Sequence, residues 1–500
     1  MLAELTAALR RTGGRPAVLA TGRTGRITVR ATGDQLADLA LGYAAALHRR
    51  GLSAGDTLAV AVRPGARALA VLLAADRLGV RVAVLDPTAG PALLRARLGQ
   101  LPPALVVADA AAQAAAGWAR PLARRAGLAL PELAGLAPVA TVGPRLPGCA
   151  PALPAAGGPA PDRAGGDGAG GDGDAVVVFT SGTIGRPRAV VHSRASLAAG
   201  FRAVAELVGP EPGRVVLGGT FFVLLPALAA GAPVLLPAGR GRAVAGQLRR
   251  ARPQATYLTP PQLRAVLAAG GRFTGRVWTG SAPASARLLD RVRRAGADQA
   301  WGVYALTELF PVAAVEAAEK AAFAGDGDLV GQPVPGVATR LSPAGELLLA
   351  GPAACHRYLG EPPHRWVATG DLARLDPAGR LVLAGRCKDM ILRAAVNIYP
   401  GLYEPALHVP GVSLAVLVGV PAGDGDERLV ALVEPEPGAG AARVRAALVG
   451  PLARMGIARP DRVVLGTVPL AGRSRKPDRA AAARIAAAAA GAGGPGWWRR

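Results

Sequence analysis

Lysine is nearly absent from this chain. Among 58 basic residues only Lys320, Lys388 and Lys476 are lysines, and the rest are arginine. Such a skew reads as compositional bias, so the net charge of +24 is weak grounds for a nucleic-acid partner. The arginines are scattered, aromatics make up 4% of residues and no basic block dominates, which argues against nucleic-acid binding. The bias also gives each lysine weight, because arginine would serve wherever only charge is needed. Cysteine is scarce too. Cys149, Cys355 and Cys387 are odd in number and lack metal-ligand spacing, which argues against a disulfide framework and for a reducing, cytoplasmic setting. The N-terminus lacks the ordered regions of a secretory signal. One uncharged run, 215–239, is long enough for a bilayer. Pro226, Pro233 and Pro237 interrupt it, so it predicts a buried helix followed by a strand and no membrane span.

What is present is apolar material: 51% of 500 residues, enough for a large core and more than one domain. Apolar residues at helical spacing predict a helix over 33–50. Strands at 57–62, 80–85 and 105–108 alternate with helices such as 66–78. This is an α/β pattern with a largely parallel sheet. The stretch 143–174 is rich in Pro, Gly and Ala and reads as a flexible loop. Strands then resume at 255–258, 277–279 and 301–304. From about 327, short alternating segments with turns at Ser342-Pro343-Ala344-Gly345 and Asp376-Pro377-Ala378-Gly379 predict antiparallel β structure. Beyond Arg386 the pattern is α+β, and an Ala/Gly-rich tail from about 480 is expected to fray.

The stretch 176–193, VVVFTSGTIGRPRAVVHS, carries the first chemical signal. A β-branched run is followed by Thr180, Ser181, Gly182, Thr183, Gly185, Arg186 and Arg188. The glycines let backbone N–H groups close around an anion, the hydroxyls add donors and the arginines add charge. It differs from the P-loop of kinases, because no Gly-Lys-Ser/Thr opens the next helix. Taken alone, such a loop fits a solvated turn better than a site. Further stretches follow in order: Gly280-Ser281-Ala282-Pro283 after a strand, and Tyr304-Ala305-Leu306-Thr307-Glu308 at another strand end. Then come Thr369-Gly370-Asp371, a carboxylate in a tight turn, Gly385-Arg386-Cys387-Lys388-Asp389, and Lys476-Pro477-Asp478-Arg479. Strand C-termini of parallel sheets are where ligands gather.

This ordered set resembles the acyl-adenylate-forming superfamily of acyl-CoA synthetases, peptide-synthetase adenylation domains and luciferases. The resemblance runs from about residue 33 to Arg479. It implies that Thr180, Ser181, Gly182, Thr183, Gly185 and Arg188 hold the β- and γ-phosphates of ATP. Gly280, Ser281 and Ala282 would line the adenine pocket and Tyr304 would stack on the base. Thr307 would contact the α-phosphate, Glu308 would hold Mg²⁺, and Asp371 and Arg386 would bind the ribose hydroxyls. Lys388 falls at the hinge of a small lid, and Lys476 matches the lysine bridging carboxylate and α-phosphate. The implied architecture is a large N-terminal AMP-binding domain, 1–386, with layered α/β subdomains and a small β-barrel-like region. An α+β lid, 387–485, and a disordered tail, 486–500, complete it. The implied reaction forms acyl-AMP and pyrophosphate from ATP and an acid. A thioester with coenzyme A or a phosphopantetheine carrier protein would follow.

Several positions depart from that pattern. Arg188 and Ala189 stand where lysine and glycine are usual, with charge retained at Arg188. One extra residue precedes Lys476 in its motif, so Arg475 is a weak competitor for its role. Ala394 and Ala395 replace glycines and would narrow the pantetheine path. The segment Gly219-Thr220-Phe221-Phe222-Val223-Leu224-Leu225 carries no aspartate to pair with an α-ammonium, and burying that charge unpaired is costly. The expected substrate is therefore an apolar fatty or aryl acid without an α-amino group, with Phe222, Val223 and Gly302 as acyl-pocket candidates. The stretch ALTELFPVA, 305–313, also resembles ATP-dependent β-lactone-forming enzymes. That branch and a non-catalytic adenylate-binding relative are the alternatives.

Overall fold

The computed structural model describes residues 2–22, 24–87, 90–125, 128–155, 173–179, 189–393, 396–423, 426–472 and 475–491. The proposed phosphate loop, 180–188, Ala394 and Ala395, and most of the Pro/Gly-rich stretch lie outside the described residues. The fold is α/β, with large open sheets, and no closed barrel is formed among the described residues. The chain divides into two compact units. One contains residues 1–257, 307–311 and 351–365, and the other contains 258–306, 312–350 and 366–500.

In the first unit a seven-stranded sheet runs in the order Arg357–Tyr358, Ala189–Ser193, Asp174–Phe179, Arg81–Val84, Thr57–Ala61, Leu105–Ala108, Val139–Thr141. Thr57–Ala61 is buried throughout and pairs in parallel on both sides. A strand covered on both faces reads as a continuous apolar run, which is why TLAVA shows no alternation. Asp174–Phe179 joins this core in parallel and pairs antiparallel with Ala189–Ser193. The helix Gly33–Arg49 starts at a capping box, in which Thr32 and Gln35 each satisfy the other's backbone N–H. It buries Leu36, Ala40, Tyr43 and Leu47, the spacing of a single helix face. The uncharged run becomes strand Val216–Leu217, helix Phe221–Ala229 and strand Val234–Leu235. No helix among the described residues is long and apolar enough to cross a membrane.

The second unit contains the strands Arg276–Thr279, Gln299–Tyr304, Ala313–Glu316, Asp328–Pro333, Leu381–Arg386, Val367–Leu375, Glu346–Ala350 and Ala338–Leu341, in that spatial order. The first pair is parallel and the remainder antiparallel. Both expected turns close hairpins. At the second, the Asp376 carboxylate accepts from the N–H of Ala378 (3.0 Å) and Arg380 (2.9 Å), and Gly379 adopts φ 75°. An aspartate that bonds its own turn and a glycine with positive φ are what this reversal requires.

Toward the C-terminus, Val412–Gly423, Asp426–Pro435 and Arg462–Leu465 form a separate three-stranded sheet. Alternate residues serve opposite faces. Ala415 and Leu417 pack with Val444, Leu448 and Leu452 of helix Ala441–Arg454, while Val416 and Val418 pack with Ala482 and Ala486. The expected fraying from about residue 480 is corrected for the described residues, 479–491. Helix Arg479–Gly491 is formed, and Ala482 and Ala486 are fully buried. Alanine is the best helix former, and its small side chain lets the helix lie close to the sheet.

Candidate active site

In the second unit a carboxylate is held from two sides. Asp371, only 5% exposed, accepts a 2.6 Å hydrogen bond from the Tyr304 hydroxyl at Oδ2 and faces Arg386 Nε at 2.8 Å through Oδ1. Asp371 and Arg386 are direct partners across neighbouring strands, and Tyr304 ends the strand Gln299–Tyr304. Asp371 does not lie in a tight turn, as expected, but within the strand Val367–Leu375. A register irregularity in the pairing with Glu346–Ala350, and Gly370 at φ 70°, re-aim the chain just before it. Thr369 Oγ1 accepts from the Asp371 N–H at 3.0 Å, and Glu346 Oε1 accepts from the Gly370 N–H at 2.8 Å.

Burial pushes the Asp371 carboxyl above its usual range, while Arg386, the Tyr304 hydrogen bond and the charge of Lys476 pull it back. Burial and the neighbouring Asp371 charge drive the Tyr304 phenol well above its ordinary value, so it stays a donor. A carboxylate offers about four acceptor positions. Tyr304 and Arg386 engage one on each oxygen. Lys388 lies in the short turn Cys387–Asp389, where burial lowers its pKa. Gly280, Ser281 and Ala282 follow the strand Arg276–Thr279, and Ser281 holds a left-handed φ of 69°. Non-glycine residues in that region are uncommon and gather at ligand sites. Gly302 lies inside the strand Gln299–Tyr304, with Leu289 and Val315 packed beside it.

The first unit holds Thr307 and Glu308. The Thr307 carbonyl accepts from His192 Nε2 at 2.7 Å, so this ring nitrogen carries the proton. His192 is fully buried, contacts Ser196 Oγ at 3.2 Å through Nδ1, and its pKa is lowered by burial. Glu308 Oε1 accepts from the Tyr358 hydroxyl at 3.2 Å, and the Glu308 carbonyl accepts from the Cys355 N–H at 2.6 Å. The Cys355 thiol is pushed up to about 12 by burial and by Glu308, so it is no nucleophile at neutral pH. Phe222 packs against Phe310 at 4.2 Å between ring centroids, with Phe201 at 6.0 Å from Phe310. Val223 is buried beside Phe222 on the helix Phe221–Ala229.

The structure therefore brings Tyr304, Asp371, Arg386 and the field of Lys476 together, and separately ties Thr307 to His192 and Glu308 to Tyr358. His192 and Tyr358 are not among the residues that the motifs point to. Only His192 carried a local signal, an imidazole inside the apolar strand Ala189–Ser193.

A buried carboxylate gripped by a phenol and a guanidinium, with an ammonium charge acting on it, suits a ligand that is both hydroxyl-rich and anionic. The chain belongs to the family of AMP-binding enzymes, whose model matches residues 5–359. Among curated proteins it is 28% identical over 299 residues to an indoleacetate–CoA ligase of Aromatoleum aromaticum, covering 53% of this chain and 58% of the relative. It is also 28% identical over 285 residues to a feruloyl-CoA synthase of Amycolatopsis, covering 49% and 56%. The matched region thus spans little more than half the length of these relatives. Among solved structures it is similar to the amide bond synthetase McbA of Marinactinospora thermotolerans, with TM-score 0.76 and 24% identity over 97% of this chain and 99% of that one. It is also similar to o-succinylbenzoate CoA synthetase of Bacillus subtilis in complex with its acyl-adenylate, with TM-score 0.74 and 18% identity over 95% and 97%. At these identities the structural likeness establishes the fold.

Proposed function

We propose that this protein is an AMP-forming acid–thiol ligase. It would convert ATP and a carboxylic acid to acyl-AMP and pyrophosphate, then pass the acyl group to a thiol of coenzyme A or of a carrier protein. The observation that carries this reading is the Tyr304–Asp371–Arg386 cluster with Lys476 acting on it. The remaining acceptor positions of Asp371 suit two ribose hydroxyls. Tyr304, held by its hydroxyl, is oriented as a fixed platform for adenine. Lys476, a compact cation on a flexible arm, suits bridging the acid's carboxylate and the α-phosphate while negative charge builds there. Positioning does much of the remaining work in phosphoryl chemistry.

The domain division at residue 386 and the hinge role of Lys388 belong to the same proposal. Lid rotation would exchange the lysine for the incoming thiol. No group of three His, Cys, Asp or Glu side chains suited to a metal occurs among the described residues. Mg²⁺ commonly uses only one or two carboxylates together with substrate phosphates, and Glu308, with one oxygen engaged by Tyr358, fits that mode. The ion would supply charge neutralisation at the phosphates. Phe222, with Phe201 and Phe310, offers an aromatic wall without a charged group, which suits an aryl or fatty acid lacking an α-amino group. Relatives described as CoA ligases favour a thiol acceptor over β-lactone formation or mere binding.

The test is ATP–pyrophosphate exchange over a panel of aryl, fatty and amino acids, each run with and without coenzyme A. Exchange with an aryl or fatty acid, and a thioester only when coenzyme A is present, is the expected result. Exchange confined to amino acids, or none with any acid, contradicts the proposal.

A further inference from the structure

We infer that Arg479 is a positioning residue that couples the hinge turn to Lys476, an inference that rests on the adenylating reading above. Its guanidinium joins three elements within one unit. Nε faces Asp389 Oδ2 at 2.9 Å. Nη1 and Nη2 grip the two oxygens of Glu404 at 2.7 and 2.8 Å. Nη1 also donates to the Leu417 carbonyl at 2.8 Å, while the Leu417 N–H donates to Glu404 Oε1 at 2.8 Å. Leu417 lies on Val412–Gly423, one of the two edge strands of its sheet. The Arg479–Glu404 pair therefore takes the place of a neighbouring strand at that point of the edge. The two carboxylates hold the Arg479 guanidinium firmly in its charged form.

The geometry gives this tie a mechanical consequence. Asp389 is the residue after Lys388, so it lies on the moving side of a pivot at Lys388. Arg479 is three residues after Lys476, and a chain spans at most about 3.6 Å per residue, so Lys476 cannot stray more than about 11 Å from the anchored backbone. The anchor is firm at its own end as well. The Asp478 carboxylate accepts from the Ala481 N–H at 2.9 Å, and the Asp478 N–H donates to the Pro469 carbonyl at 2.8 Å. Rotation at Lys388 is thus transmitted through Asp389, Arg479 and the helix start to the lysine that acts on Asp371. A lysine at 479 lacks the planar fork that holds Glu404 with two nitrogens and Asp389 with a third, so it cannot reproduce the tie.

The test compares wild type, R479Q, R479K, D389N and R479Q/D389N. D389N leaves the Glu404 grip intact and guards against simple misfolding of R479Q. The readouts are kcat and KM for ATP in acid-dependent pyrophosphate exchange, the melting temperature, and hydrogen exchange of peptides around Asp389 and Lys476. D389N is expected to lower kcat about tenfold with KM changed less than about threefold, the signature of lost transition-state positioning. R479K should not rescue R479Q. The double variant should be no worse than R479Q, because coupled residues are non-additive. Both peptides should lose protection together in R479Q and in D389N. Unchanged kcat in D389N at wild-type stability, or additive losses in the double variant, would overturn the inference. If wild type exchanges with no acid, the adenylating reading fails on its own. The hydrogen-exchange comparison then decides the tie, with joint loss of protection supporting it and unchanged protection overturning it.

Discussion

At the scale of single residues, the three lysines stand in different surroundings. Lys388 sits in the turn after Arg386 and Lys476 acts on Asp371. Lys320, in contrast, is buried in an ion pair with Asp328 at 2.6 Å, a structural use that no motif announced. His192 supports a pH prediction. Its folded pKa lies below the ordinary value, so between the two values the unfolded chain binds a proton that the folded chain refuses. Stability should be level above about pH 6.5 and fall as pH drops below it, until the depressed folded pKa is reached. His408, also lowered by burial, adds to the same trend. Melting curves of wild type and H192Q between pH 5 and pH 8 check this. The variant should show a shallower slope on the acid side, and identical slopes would count against a buried neutral imidazole.

At the scale of elements, the glycine of Asp328–Pro333 makes the sharpest stability prediction. Gly331 has φ 93°, and a Cβ there would clash with the Ala314 carbonyl oxygen. Backbone strain and a backbone clash combine, so G331A should lose about 2–4 kcal/mol, read as a drop in the denaturation midpoint at constant slope. A change under about 0.5 kcal/mol, ordinary for a surface site, would mean this strand pairing is not as described. Elements with strong local signals were legible in the sequence. The capped helix beginning after Thr32, the buried strand Thr57–Ala61 and the two Pro-Ala-Gly hairpins all follow from periodicity and turn chemistry. What failed depended on distant partners. The irregularity that sets Asp371 within a strand arises from pairing with Glu346–Ala350, more than twenty residues away. The helix Arg479–Gly491 looked like a fraying tail because alanine is uninformative until Val416 and Val418 lie beneath it.

At the scale of the whole molecule, Tyr304, Asp371 and Arg386 are brought together within the second unit across long sequence separations. Tyr304 and Asp371 are 67 residues apart, and their contact has no local signal in either segment. Motif order named these residues as candidates. Only the sheet pairing of Asp371 with Arg386 and the hydroxyl of Tyr304 reveal how the carboxylate is held. The Arg479–Glu404–Asp389 tie was equally invisible, because an arginine among so many carries no distinction. Membership of the AMP-binding family accounts for the fold, and the proposed chemistry concentrates on one lysine.

That chemistry is tested most directly by acid-dependent ATP–pyrophosphate exchange in wild type and K476A, with the melting temperature of each measured alongside. Wild type should exchange with an aryl or fatty acid. K476A should fall by about a hundredfold or more at unchanged stability, the scale of loss when a charge-stabilising donor is removed from the reacting centre. Near-normal exchange in a folded K476A protein would contradict the assignment.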